Sequence, residues 1–532
     1  MAALFSMCLF LTACDMESVL QLTGPGAGDV RGRSGEHARD DRRTGSGGQD
    51  DESGDAADDP TVTDAGGDSA DDGSAGDGGT GPDASAADTE DPLPADSLTT
   101  EPAPTGGDGG ASDGTESFAC DHTLAGGVEE ADGAGNFSDV GPGDTVCLAS
   151  GTRGPLELRN FHGADGRPVT FVNSGGTVQI RGDDGDYAGI EIEDSDHIRV
   201  TGAGAGGHCG ADIAAGSQRC GISILGTARS LTGKVKTEHI RVDHVEMGDT
   251  SQSAVSIKDN SMGRGEWIEH DVVLDHNYLH DVKDEGVYIG SSDYATGDYH
   301  VLHGVRLSHN LVVRTGRDGL QVGSATRDCA IHDNVVTDTG RNGESSHRAG
   351  VMNNKGSVCD IHDNVISDTA GWGIYIQGNG SNDVYNNVVI RAGRAVSAGD
   401  DDGDGITVHD GSNTDGSVRV LNNTVVGARG DGIGWSNDVG SDNQIRNNIA
   451  VGSGGVDVDR DANVDIGANL TGAVSAVGFV DPSGDDFRLG SASPAVDAGR
   501  SLRSEGVVDD IDGTARPQGS AYDIGAYERT GG

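Results

Sequence analysis

Short apolar runs alternate with polar turns through most of this chain, and two phrases recur. The first ends in asparagine: Leu274-Asp-His-Asn277, Leu307-Ser-His-Asn310, Ile331-His-Asp-Asn334, Ile361-His-Asp-Asn364, Val384-Tyr-Asn-Asn387, Val420-Leu-Asn-Asn423 and Ile445-Arg-Asn-Asn448. The second is Gly-apolar-x-apolar, as in Gly286-Val-Tyr-Ile289, Gly319-Leu-Gln-Val322, Gly373-Ile-Tyr-Ile376 and Gly405-Ile-Thr-Val408. The asparagines recur every 23 to 36 residues. Short β-type runs at that period predict an all-β solenoid of stacked coils. Extending the glycine phrase places rungs at Gly189, Gly221, Ala254, Gly286, Gly319, Gly350, Gly373, Gly405 and Gly432, which predicts one continuous sheet with alternate residues facing out. The repeated asparagines fit tight turns, where they would adopt the left-handed conformation and hydrogen-bond their stacked copies.

Composition separates the chain into parts. The 89 glycines and 4% aromatics suit coils that need few large core residues. Between Thr44 and Ser117 there are 20 acidic and no basic residues, so residues 15–117 read as a disordered acidic tether that cannot bury enough apolar surface to order itself. The net charge of −52 makes nucleic acid a poor partner. Residues 1–14 form an apolar run too short to span a bilayer. Its end, Leu11-Thr-Ala-Cys14, resembles the lipobox of bacterial lipoproteins, which implies export, cleavage and lipidation at Cys14. Asp15 resembles an inner-membrane retention signal, leaving periplasmic and surface locations both open. Cys329 and Cys359 each lie five residues before a ladder asparagine. Strands on neighbouring coils, ~4.8 Å apart, suit a disulfide there. Cys120 with Cys147, and Cys209 with Cys220, are the remaining expected pairs.

The strand entry Gly143-Asp-Thr-Val146 followed by coils resembles right-handed parallel β-helix proteins such as pectate lyases and related polysaccharide lyases, over about residues 118–480. Ser493-Pro-Ala-Val-Asp-Ala-Gly499, Asp510-Ile-Asp-Gly-Thr-Ala-Arg-Pro517 and Asp523-Ile-Gly-Ala-Tyr-Glu528 resemble the choice-of-anchor Q segment that ends many bacterial β-helix proteins. Residues 481–532 are therefore expected to cap the last coil, whose edge would otherwise invite strand pairing.

Outward positions of the glycine-phase sheet include Tyr288, Gln321, Tyr375, Gln377 and His409, a set that suits stacking on sugar rings and bonding hydroxyls; an ordinary solvated face is the competing reading. Ala254-Val-Ser-Ile-Lys258 places Lys258 outward and resembles the stretch carrying the catalytic lysine of chondroitinase B-type lyases. Ser251-Gln-Ser253 stands where those lyases carry acidic calcium ligands. Asp284-Glu285 and Arg317-Asp318 open the next two rungs, so a base (Lys258), an arginine (Arg317) and carboxylates (Glu285, with Asp284 and Asp318 as metal ligands) are expected to gather. Asp401, Asp402 and Asp404 form an acidic turn suited to calcium. A Glu285/Asp318 pair would also be spaced for a retaining glycosidase. The expectation is an exported, lipid-anchored, monomeric protein that binds an acidic polysaccharide and cleaves it by β-elimination. The alternative is a non-catalytic surface adhesin or spacer.

Overall fold

The computed structural model describes residues 117–530 apart from 184, 205–219, 259–262, 264, 293, 295–299, 379, 410–415, 438–439 and 460–462. Cys14, the acidic tether and Cys209 lie outside the described residues.

Three short strands make one coil. In the coil that opens at Ile268, strand Ile268–Asp275 is followed by Tyr278–Val282 and then Val287–Ile289. Each pairs in parallel with its counterpart one coil on: Val272 with Val305, Leu279 with Val312, Tyr288 with Gln321. Repetition builds three ladders. The first two merge into one 24-stranded sheet, because the long strand Val169–Arg181 pairs in both; the third is an 11-stranded sheet. The molecule is a right-handed parallel β-helix, the hand that parallel crossovers take. Its interior is a file of aliphatic side chains, with Val272, Leu274, Leu279, Val287 and Ile289 all fully buried.

The corner between the first and second ladders is held by the asparagines. The Nδ2 of Asn277 donates to Asn310 Oδ1, and the relay continues through Asn334, Asn364, Asn387, Asn423 and Asn448 to Asn469 at 2.9–3.1 Å per step. The stacking is as expected, but the left-handed residue is the one before each ladder asparagine: His276, His309, Asp333, Asp363, Asn386, Asn422 and Asn447, all with φ of 49–57°. The ladder side chain must turn inward to reach the coils on either side, so its predecessor makes the bend. Outside the same corner, a file of rings runs from His244 through His276, His309, His332 and His362 to Tyr385, with centroids 4.6–6.0 Å apart, all stacked except the edge-on His309–His332 step.

Two further expectations need correction or confirmation. Gly221 does not open a rung of the third ladder. It precedes Ile222–Leu225, which pairs with Val178–Arg181 and Val245–Gly248 in the second ladder. The third-ladder strand of that coil is Arg229–Lys234. Here a glycine precedes a short apolar strand of the second ladder, so the phrase alone does not separate the two. The Cys120–Cys147 and Cys329–Cys359 disulfides are present, with Cα atoms 5.5 and 4.4 Å apart. Cys220 is also disulfide-bonded.

The C-terminal segment packs along the flank of the last coils. Phe479, Phe487, Ile524 and Tyr527 cover Val388, Val426, Ile449 and Val451, while Tyr522 and Leu502 cover Leu421. The left-handed asparagines serve as its docking points. Asn386, Asn422 and Asn447 donate to the carbonyls of Asp509, Asp523 and Arg500.

Candidate functional site

The outward row of the third ladder reads Glu191, Thr232, Ser256, Tyr288, Gln321, Met352, Tyr375, Thr407, each in register with the next. Two positions further along lies a second row that holds Glu193, Lys234 and Lys258. Lys234 is bonded to Glu191 (2.5 Å) and Glu193 (2.9 Å), and this ties up the acids at that end. The Lys258 Nζ stands 4.4 Å from the centre of the Tyr288 ring on the next coil.

Beside this pair the glycine phrase brings acids together. Glu285 and Asp318 each precede the glycine of their rung, so the chain enters the third ladder with both carboxylates stacked. Their oxygens and a ring nitrogen of His347 all lie within 4.8 Å of one another. Glu285 Oε2 accepts from the Ser253 hydroxyl at 2.9 Å. Its Oε1 is buried with no hydrogen-bond partner among the described residues, with Arg317 Nη1 at 3.6 Å and His347 Nδ1 at 4.0 Å. Asp318 Oδ1 accepts from the Ala349 amide at 2.6 Å, and Oδ2 faces His347 Nδ1 at 3.3 Å. Arg317 spans Asp284 (3.7 Å) and Glu344 (2.8 Å).

Burial pushes the Asp318 carboxyl up from the usual carboxylate range, and the hydrogen bond to Asp318 raises His347. Burial followed by the charge of Glu285 raises Asp284. Tyr288 and Gln377 are half-buried, whereas Gln321 is fully buried and neither end of its amide has a partner among the described residues. Buried polar groups left without partners are rare and mark places where a ligand, ion or water completes the set. Two residues with such groups, Glu285 and Gln321, occur on successive coils.

The cluster of Glu285, Arg317, Asp318 and Asp284 forms as the sequence spacing implied. His347 and Glu344 were not foreseen. Both lie on the stretch between strands Val335–Thr337 and Val351–Asn353, where the repeat phrases give no phase. Gln321 shares the outward row, yet its full burial removes it from an open sugar-contacting surface. Tyr375 is likewise nearly covered, with the Trp372 ring 4.5 Å away; His409 stacks against Tyr375 at 5.9 Å.

The acidic turn does not gather its carboxylates. Asp401–Gly403 is one 3-10 turn capped by Asp400. Asp402 pairs with Arg348 at 2.6 Å, and Asp404 accepts from the Thr407 hydroxyl (2.9 Å) and the Asp431 amide (2.6 Å). Burial pushes Asp404 up to about 8, so the folded protein binds a proton there that the unfolded chain releases near its ordinary value of 3.8. This linkage makes stability fall as pH rises through the window between those values. Asp404→Asn is expected to be more stable than the parent at about pH 9 and no more stable at about pH 4. Urea unfolding of both proteins at the two pH values checks it; an equal difference at both would contradict it.

Residues 227–410 match the family described as "Periplasmic copper-binding protein (NosD)". No curated protein matches. Among solved structures, the chain is similar to pectate lyase Pel9A, at 15% identity and TM-score 0.38, over 78% of this chain and 97% of that one. It is similar to an alginate lyase from Paenibacillus sp. str. FPU-7, at 14% identity and TM-score 0.31, over 66% and 99%. It is also similar to the GH136 lacto-N-biosidase from Eubacterium ramulus, at 12% identity and TM-score 0.43, over 63% of each chain. At these identities the likeness concerns the fold alone. The chain is a right-handed parallel β-helix protein, similar over residues 227–410 to the NosD family.

Proposed function

We propose that the third-ladder face binds an acidic polysaccharide and cleaves it by β-elimination. The observation that carries this reading is the under-satisfied cluster of Glu285, Asp318, His347 and Arg317 beside the Lys258–Tyr288 pair. Elimination beside a uronate needs a base for the proton on the carbon bearing the carboxylate, and positive charge to hold that carboxylate. Lys258, as its free amine, takes the proton. The electron pair forms the carbon–carbon double bond, the bond to the neighbouring glycosidic oxygen breaks, and that oxygen leaves as a hydroxyl, taking a proton from the Lys258 ammonium or from water. Arg317 faces the substrate carboxylate, and the half-buried Tyr288 ring supports a sugar.

Glu285, Asp318 and His347 together fit a divalent cation, since Glu285 Oε1 is buried and accepts no hydrogen bond among the described residues. Two carboxylates and an imidazole suit a borderline first-row ion better than an all-oxygen calcium cage. Such a cation would supply charge to neutralise the uronate. The leader and lipobox-like Cys14 support reading this as an exported, lipid-anchored protein.

A second reading, a non-catalytic adhesin or spacer, is favoured by the chain's own negative charge, which repels polyanions, and by the covered Gln321 and Tyr375. Incubation with pectate, alginate and chondroitin, with and without added calcium or manganese, separates the two. Absorbance of unsaturated uronate should rise with one of them and vanish in Lys258→Ala. No rise with any substrate, or activity unchanged in that variant, sinks the lyase reading.

A further inference from the structure

A cleft lies on a different face, along the first ladder. In five successive coils a left-handed residue occupies one column: His197, His239, Asp271, Gly304 and Asp328, with φ of 51–81°. The register of the residues that follow, Ile198, Ile240, Val272, Val305 and Cys329, stacks them. Four of the five carry an outward side chain. Gly304 carries none, and a Cβ there would meet Asp271 Oδ1 at 2.3 Å. The Asp271 carboxylate takes that space, and a cleft of about 530 Å³ lies beside it.

What surrounds the cleft is basic. His270 and His303 lie on neighbouring coils with rings edge-on at 5.5 Å. Arg327 is the register partner of His303 on the next coil, and Arg306 follows Gly304 by two residues on the same strand. The same row along the ladder carries Arg199 and Arg241, whose guanidiniums are held by Asp243 and Asp275 at 2.7–3.0 Å. The coils around Arg306 offer Ser308 and His332 where those aspartates stand. Among the described residues neither Arg306 nor Arg327 makes an ion pair, although the chain carries a net charge of −52. Two acids border the cleft. Asp271 is engaged by His239 Nδ1 at 2.7 Å, and Asp328 is exposed at the rim. Burial, then the charges of Arg327 and His270, lowers His303 from the ordinary imidazole range.

We propose that this cleft is an oxyanion site, in which Arg306 and Arg327, aided by the ring N–H groups of His270 and His303, bind a carboxylate, sulfate or phosphate group. Guanidinium forks suit the paired oxygens of such groups. The site stands apart from the third-ladder face and does not depend on the function proposed there.

The test follows the imidazole signals of His270 and His303 by NMR as sodium sulfate, sodium phosphate, sodium acetate and an oligouronate are added separately at constant ionic strength. The expected result is a saturable shift and a rise in the His303 pKa, since a bound anion favours imidazolium. Both are lost in R306Q/R327Q and retained in Lys258→Ala. Saturation by the inorganic salts assigns the site to free anions; saturation by the oligouronate alone assigns it to the charged group of a glycan. Either supports the site. No saturable shift with any of the four, or an equal shift in R306Q/R327Q, overturns it. Both arginines are exposed, so the double variant is expected to fold, and its circular dichroism should match the parent.

Discussion

Asn364→Ala is expected to lower stability by about 4 kcal/mol, measured by denaturant unfolding, because it leaves several buried groups without partners at ~1–3 kcal/mol each. Asn364 Oδ1 accepts from both the amide and the Nδ2 of Asn334 at 3.0 Å. Its own Nδ2 reaches the Ile331 carbonyl (2.8 Å), the His362 carbonyl (2.9 Å) and Asn387 Oδ1 (2.9 Å). The side chain is fully buried, so water cannot simply take its place. Because each step polarises the next, the break should also loosen the coils on both sides. Hydrogen exchange at Asn334 and Asn387 would report that loosening. His362→Ala, two residues away on the outside, is expected to cost less than half as much. Similar losses in the two variants would mean that the corner, not the relay, holds the coils.

Arg516→Met is expected to release the C-terminal segment, at a cost of about 3–5 kcal/mol for breaking one partner of a buried ion pair. Arg516 is almost fully buried and bonds Glu528 at 3.0 Å, the Gly525 carbonyl at 2.9 Å and Asn386 Oδ1 at 3.2 Å. Removing it strands the Glu528 carboxylate, which also accepts from the amides of Gln518 (2.8 Å) and Asp523 (3.0 Å). Arg516→Lys should not rescue, since an ammonium cannot span the same spread of acceptors. Limited proteolysis should cut the variant between residues 481 and 528 while the coils survive. A variant as resistant as the parent would contradict this role.

Much of the fold was legible because the solenoid repeats its own instructions. The asparagine phrase set the coil period, and the glycine phrase set the third ladder for eight of its nine assigned rungs. Gly221 misled because a glycine followed by alternating aliphatics also opens a second-ladder strand. The left-handed bend was assigned one residue late, since asparagine's tolerance for that conformation hid the demand that its side chain point inward. At the candidate site, Glu285, Arg317 and Asp318 were legible from their shared phase. His347 was not, because a residue on a connection between coils has no register until the fold supplies one. The acidic turn at Asp401–Asp404 looked like a cation site by composition. The carboxylates of Asp402 and Asp404 are instead spent on Arg348, Thr407 and the Asp431 amide.

The central functional claim is elimination at Lys258, and product mass tests it most directly. Each cleavage of the polysaccharide should yield one fragment with a new non-reducing end that is lighter by one water than the hydrolytic fragment of equal length. Those products should be absent with Lys258→Ala. New non-reducing ends that all carry the full mass of added water would instead assign the Glu285–Asp318 pair to hydrolysis, and no fragments at all from any acidic polysaccharide would contradict catalysis at this face.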